Sequence, residues 1–97
     1  MKNVEMKENY KIDFEIIERS IRFVIYFNGC EIACRKEKIN VIQEFLEKDY
    51  APIFKGRIKL IKFWEEIIIT YKGEIIGKTS KKFLSNVLNK NHQNIPN

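Results

Sequence analysis

Apolar residues recur at every second position through Lys11-Ile12-Asp13-Phe14-Glu15-Ile16 and through most of Arg57-Ile58-Lys59-Leu60-Ile61-Lys62-Phe63, the signature of half-buried strands. Asn28-Gly29 lies between two further β-prone runs. That dipeptide favours a two-residue hairpin turn, because both central positions of such a turn need positive φ. The turn predicts Phe27 opposite Cys30, Ile25 opposite Ile32 and Phe23 opposite Cys34. One face then carries Ile21, Phe23, Ile25, Phe27, Cys30, Ile32 and Cys34, all apolar, and the other Arg22, Val24, Tyr26, Glu31, Ala33 and Arg35. A second hairpin is predicted at Lys72-Gly73, with Tyr71 opposite Glu74 and Ile69 opposite Ile76. Its faces are less distinct: Ile67, Ile69, Tyr71 and Ile76 stand against Ile68, Thr70 and Ile75. Such a strand is expected at the centre of a shared sheet, the alternative being an exposed interface.

Two segments change period. Ile39, Ile42, Phe45, Leu46 and Tyr50 recur at the spacings of one helical face, with Lys38, Glu44, Glu47 and Lys48 outside it. A second helix opens at Thr79 or Ser80, either of which caps well, and buries Phe83, Leu84, Val87 and Leu88. The order strand, strand, strand, helix therefore occurs twice. Phe23 to Gly29 corresponds to Ile67 to Gly73, and Val41 to Lys48 to Phe83 to Lys90, which reads as an internal repeat. The predicted class is α+β: a curved antiparallel sheet from two tandem βββα repeats, with both helices packed on one face.

The 97 residues fit one domain with one modest core. Repeat 1 is placed at about 11–48, a connector at 49–56, repeat 2 at about 57–90 and a polar, fraying tail at 91–97. In the connector Pro52 stops the helix and Gly56 releases the next strand, while Tyr50, Ile53 and Phe54 are expected to be covered. The first residues lack the apolar run of a signal peptide, and no run approaches the roughly 18 residues of a membrane span. A cytoplasmic protein without membrane contact is expected.

Charge adds a direction. Of the formal net charge of +5, residues 57–97 hold the whole excess, with 8 basic and 3 acidic side chains. A solvated lysine face accounts for this, as does a surface for phosphate or an acidic protein.

Catalytic chemistry is sparse. Gly73-Glu74-Ile75-Ile76-Gly77-Lys78-Thr79-Ser80 has three residues where a P-loop needs four, and its isoleucines are wanted in a strand. What remains is a helix start at Lys78, Thr79 and Ser80, followed by Lys81 and Lys82, with the charge and N–H groups to hold a phosphate or carboxylate. An ordinary capped turn explains it as well. Cys30 and Cys34, four residues apart on one strand, lie roughly 13 Å apart and outside disulfide reach. They are expected to be reduced, buried and unreactive. The sole histidine, His92, lies in the tail, so neither a zinc site nor a histidine-based acid–base pair assembles. Glu65-Glu66 and Glu44 with Glu47 fit solvated positions. No metal, no cofactor and no enzymatic activity are expected.

Two function classes follow. The first is a small protein-binding module of inhibitor, adaptor or immunity type, with a homodimer through Ile68 and Ile75 as one form. The alternative is a single-stranded nucleic-acid binder, in which sheet aromatics stack on bases and cations follow phosphates. The residues that would carry either are Lys59, Lys62, Trp64, Lys78, Thr79, Ser80, Lys81 and Lys82, with Arg22, Tyr26 and Arg35 on the outer face of the first hairpin. A protein partner is favoured, because Glu65 and Glu66 beside Trp64 repel a phosphate backbone.

Overall fold

Both predicted hairpin turns form, and for the predicted reason. A computed structural model describes residues 3–93, and in it Asn28 and Gly29 have φ of 51° and 81°, Lys72 and Gly73 of 52° and 84°. They join β3 (Ser20–Phe27) to β4 (Cys30–Lys38) and β7 (Glu66–Tyr71) to β8 (Glu74–Ser80). Strands β2 (Tyr10–Ile17) and β6 (Ile58–Phe63) precede the two hairpins, and helices α1 (Ile39–Glu47) and α2 (Lys81–Gln93) follow them. Two further strands, β1 (Val4–Met6) and β5 (Tyr50–Ile53), were not anticipated; the second occupies much of the expected connector. Helix α2 takes in the first three residues of the expected tail, and 94–97 lie outside the described residues.

The class is α+β with antiparallel pairing throughout, but the strands form two sheets and not one. The first has the order β1-β8-β7-β6-β5 and the second β2-β3-β4. The reason is edge occupancy. Strand β5 takes the outer edge of β6 and β1 that of β8, so the β2-β3-β4 group finds neither edge of the β6-β7-β8 group free.

A one-residue bulge interrupts each hairpin. Phe27 faces Cys30 as predicted, but Ile25 faces Ala33 and Phe23 faces Arg35, which leaves Ile32 as the extra residue. In the second hairpin Tyr71 faces Glu74 as predicted, but Ile69 faces Gly77, and Ile76 is extra. Beyond each bulge the alternation of faces is reversed. Cys34, expected inside, is exposed; Cys30, at the end of the sheet, is exposed too. Ala33 is buried instead, and Arg35 moves from the outer face to the inner one. In β8 the bulge leaves Ile75 exposed and Ile76 fully buried.

The core lies between the sheets. Inner residues of the three-stranded sheet (Ile12, Ile21, Phe23, Ile25) and of the five-stranded one (Leu60, Ile67, Ile69, Ile76) meet Ile39, Ile42, Phe45 and Leu46 of α1 and Leu84 and Leu88 of α2. The helices touch each other; α1 also packs on β4 and β5, α2 on β8 and β2. Tyr50, expected on the buried helical face, instead opens β5 and is exposed, because α1 ends at Glu47. Rings run in a chain through the core: Phe83 to Phe14 at 5.9 Å, Phe14 to Phe23 at 5.5 Å and Phe23 to Phe54 at 5.5 Å, all edge to face.

Phe45→Ala removes a buried ring from this core and is expected to lower stability by about 3 to 5 kcal/mol in urea denaturation. Both thiols of the native protein are expected to react with a thiol reagent at the rate of exposed cysteines, without denaturant. Labelling only after unfolding would contradict the bulged register.

Candidate functional site

The five-stranded sheet has one face against the helices and one without helical cover. Its inner row runs through Ala51, Lys62, Ile67 and Thr79, all buried. On the other side, alternation places Pro52, Ile61, Ile68 and Lys78 in one row, with Tyr50, Phe63 and Glu66 beside them and Lys59, Thr70 and Ile75 beyond. Ile61 and Ile68 are half-buried in the middle. Around them Tyr50 is 66%, Phe63 54% and Ile75 63% exposed, and the Tyr50 and Phe63 rings meet edge to face at 6.0 Å. Trp64, 60% exposed, sits at the β6–β7 turn with φ of 58°, an uncommon backbone for a bulky residue. Its N–H donates to the Asp49 carbonyl at 2.7 Å, which ties the turn to the start of β5.

The expected binding lysines separate. Lys59 is exposed on the open face. Lys62 is 2% exposed on the opposite face, where its ammonium donates to the Lys48 carbonyl at the end of α1. A cation there meets the negative end of the helix dipole, so Lys62 is a structural cap. Lys78 is exposed on the open face but lies 3.6 Å from both Glu5 and Glu66. Thr79 is buried, its hydroxyl donating to the Asn3 carbonyl at 2.8 Å.

Ser80 proves to be the cap of α2, accepting the Phe83 N–H at 3.0 Å. The Lys81 N–H donates to the Glu65 carbonyl at 2.8 Å, so two of the donors at this helix start already have partners. Lys81 is half-buried and Lys82 exposed.

The outer face of the three-stranded sheet is polar. Arg22 lies 2.7 Å from Glu15 and 3.8 Å from Glu31, and the Cys34 side chain together with Glu15 pushes its pKa up. Tyr26 is half-buried beside Lys11, whose ammonium is 6.0 Å from the ring centroid. Arg35 has left this face, as described above.

Pro52, Ile61, Phe63 and Tyr50 were missed as a surface. The signal was available in β6: strict alternation from Ile58 and Leu60 sends Lys62 inward and Ile61 and Phe63 outward. Among the described residues no three His, Cys, Asp or Glu side chains gather as a metal site, and no helix is long and apolar enough to cross a membrane. No protein-family model, curated protein or solved structure matches the chain.

Lys62→Met is expected to change stability by no more than about 1 kcal/mol, since the lost charged hydrogen bond is offset by the relieved burial of an ammonium. Lys62→Glu is expected to cost more than about 3 kcal/mol, because a buried carboxylate would face a carbonyl oxygen. Urea denaturation of the two variants distinguishes this capping role from a surface role, in which both would be nearly neutral.

Proposed function

We propose that the chain is a non-enzymatic binding module that holds a protein partner on the open face of its five-stranded sheet. The observation that carries this reading is the gathering of Tyr50, Phe63, Trp64 and Ile75, each more than half exposed, around Ile61 and Ile68. Large apolar side chains exposed together on one face mark interaction sites, and aromatic side chains are the usual anchors of a protein interface.

The comparison between the two halves of the chain supports it. On this reading the β2-β3-β4-α1 and β6-β7-β8-α2 units are divergent copies, each with its hairpin turn and bulge at corresponding places. The outer face of the first copy is held by the pairs Arg22–Glu15, Arg22–Glu31 and Lys11–Asp13, while at the equivalent pairing positions the second presents Ile61 for Asp13, Phe63 for Glu15 and Ile75 for Glu31. These three apolar positions belong to one copy, so they are a property of that surface and not a requirement of the unit. A homodimer through Ile68 and Ile75 is the form in which the partner is a second copy.

Nucleic-acid binding finds less support. The same aromatics can stack on bases, but Lys62 is buried and Lys78 is flanked by two carboxylates.

Replacing Phe63 and Trp64 together by Ser is expected to leave thermal stability nearly unchanged, because both are exposed, and to weaken partner capture from the native host by 30-fold or more, taking about 2 kcal/mol as the threshold of an anchor residue. The competing reading predicts submicromolar, sequence-tolerant oligonucleotide binding near 0.15 M salt, falling with a slope of about −0.7 per neutralised phosphate. Oligonucleotide titrations at several salt concentrations, with nuclease-treated pull-downs in parallel, decide between them.

A further inference from the structure

Away from the open face, a crevice of about 170 Å³ lies between β4 and the segment leading into β6, lined by Ala33, Cys34, Arg35, Gly56, Arg57 and Ile58. Two arginines line it. Arg35 reaches it because the β4 bulge turns this residue inward, and its guanidinium carbon stands 4.8 Å from the centroid of the Phe54 ring. Phe54 is itself buried and packed on Phe23, so the cation rests against a fixed surface. The backbone of Arg57 is held from the other side, its carbonyl accepting the Lys72 N–H at 2.8 Å.

Gly56 lines the crevice between Lys55 and Arg57. A Cβ at Gly56 would stand 4.0 Å from Arg35 Nη1, so a longer side chain would enter the space that the guanidinium faces.

Neither arginine is paired with a carboxylate, a state they share with most of the lysines among the described residues. Lys7, Lys11, Arg22 and Lys78 each have a carboxylate within 4 Å; among the described residues Arg35 and Arg57 have none. The buried, apolar Ala33 and Ile58 at the crevice wall reduce the solvent that would screen a charge bound there. A guanidinium presents N–H groups in a planar fork that fits two oxygens of one anion, and a tetrahedral oxyanion has enough oxygens for two such forks. The volume lies below the roughly 300 to 1,000 Å³ of sites that enclose a drug-sized ligand, which limits the occupant to a small anion or one anionic group.

We propose that this crevice binds a phosphate group, either as the free anion or as the end of a phosphomonoester, through Arg35 and Arg57. The site is separate from the open sheet face and does not depend on the function proposed there.

NMR titration of the ¹⁵N-labelled protein at constant ionic strength, with inorganic phosphate in one arm and phosphoethanolamine in another, tests it. Saturable shifts at residues 33–35 and 56–58, with a dissociation constant on the order of 1 mM or below, are the expected result. Equal binding in both arms means that the ester oxygen stays outside the crevice; binding of free phosphate alone means that the anion is enclosed. Arg57→Gln, at an exposed position, is expected to weaken binding about tenfold, and Arg35→Lys, which keeps the charge and loses the fork, to weaken it severalfold. Non-saturating shifts in both arms up to about 10 mM, the same shifts with chloride, or unchanged affinity in Arg57→Gln would overturn the proposal.

Discussion

One extra residue in the returning strand of each hairpin decides which side chains the rest of the molecule can use. The Asn28-Gly29 and Lys72-Gly73 turns set the pairing at the hairpin tips, and without a bulge that pairing would carry Cys34 into the core and Arg35 to the surface. With Ile32 inserted, the small Ala33 enters the core and Arg35 follows on the same side two residues later. In the second hairpin, inserting Ile76 brings Gly77 opposite Ile69. That glycine also lies beside β1, where a Cβ would come within 2.7 Å of the Glu5 carbonyl oxygen and would overlap the Met6 side chain. The bulge thus puts the one residue without a side chain where a third strand must approach closely.

That approach joins the two ends of the chain. Strand β1 precedes the first hairpin in sequence but pairs with β8, and after three residues the chain crosses into the other sheet as β2. The junction is held by the β1–β8 ladder, by the Thr79 hydroxyl on the Asn3 carbonyl, by the Lys7 N–H on the Ile76 carbonyl at 2.7 Å, and by the Lys7–Glu74 pair. The exposed ion pair contributes little, so the backbone ladder and the apolar residues beneath it carry the junction. Across the core, the ring chain from Phe83 through Phe14 and Phe23 to Phe54 links α2, the three-stranded sheet and the connector. The two sheets are held together through side chains, without a shared ladder between them.

Features set by local chemistry were legible in the sequence. The Asn-Gly and Lys-Gly turns, the Ser80 cap and the buried stripe Ile39, Ile42, Phe45 and Leu46 each depend on residues within a turn or two of one another. The bulges were not legible, because Ile32-Ala33-Cys34 and Ile75-Ile76-Gly77 offer acceptable inward residues in either register, and only packing against distant strands selects one. Strand β5 was hidden by Pro52, which reads as a helix stop and is also at home on a sheet edge. The charge of Lys62 reads as surface, although its place in the alternation points inward; the acceptor that tolerates it, the Lys48 carbonyl, appears only once α1 is packed. The candidate site was half legible. Trp64, Ile68 and Ile75 were singled out, but the surface they share with Tyr50 and Phe63 exists only when β5 adds to β6.

The geometry of that added strand also bears on how a partner would engage. The Trp64 N–H donates to the Asp49 carbonyl, which makes Tyr50 and Phe63 a non-hydrogen-bonded pair; Ala51 and Lys62 then exchange both ladder bonds, and Pro52 opposite Ile61 turns its backbone outward. The open edge of β5 is therefore missing the donor that an incoming strand would need at its centre. At the other end of the same sheet, β1 is only three residues long. Strand addition has little to pair with at either edge, whereas the face between them presents Ile61, Ile68, Tyr50 and Phe63 and is unobstructed by the helices. Recognition by this sheet would have to come from side chains packing over Ile61 and Ile68, with Tyr50, Phe63 and Trp64 as its rim, and specificity would lie in the shape of that surface and not in a backbone ladder.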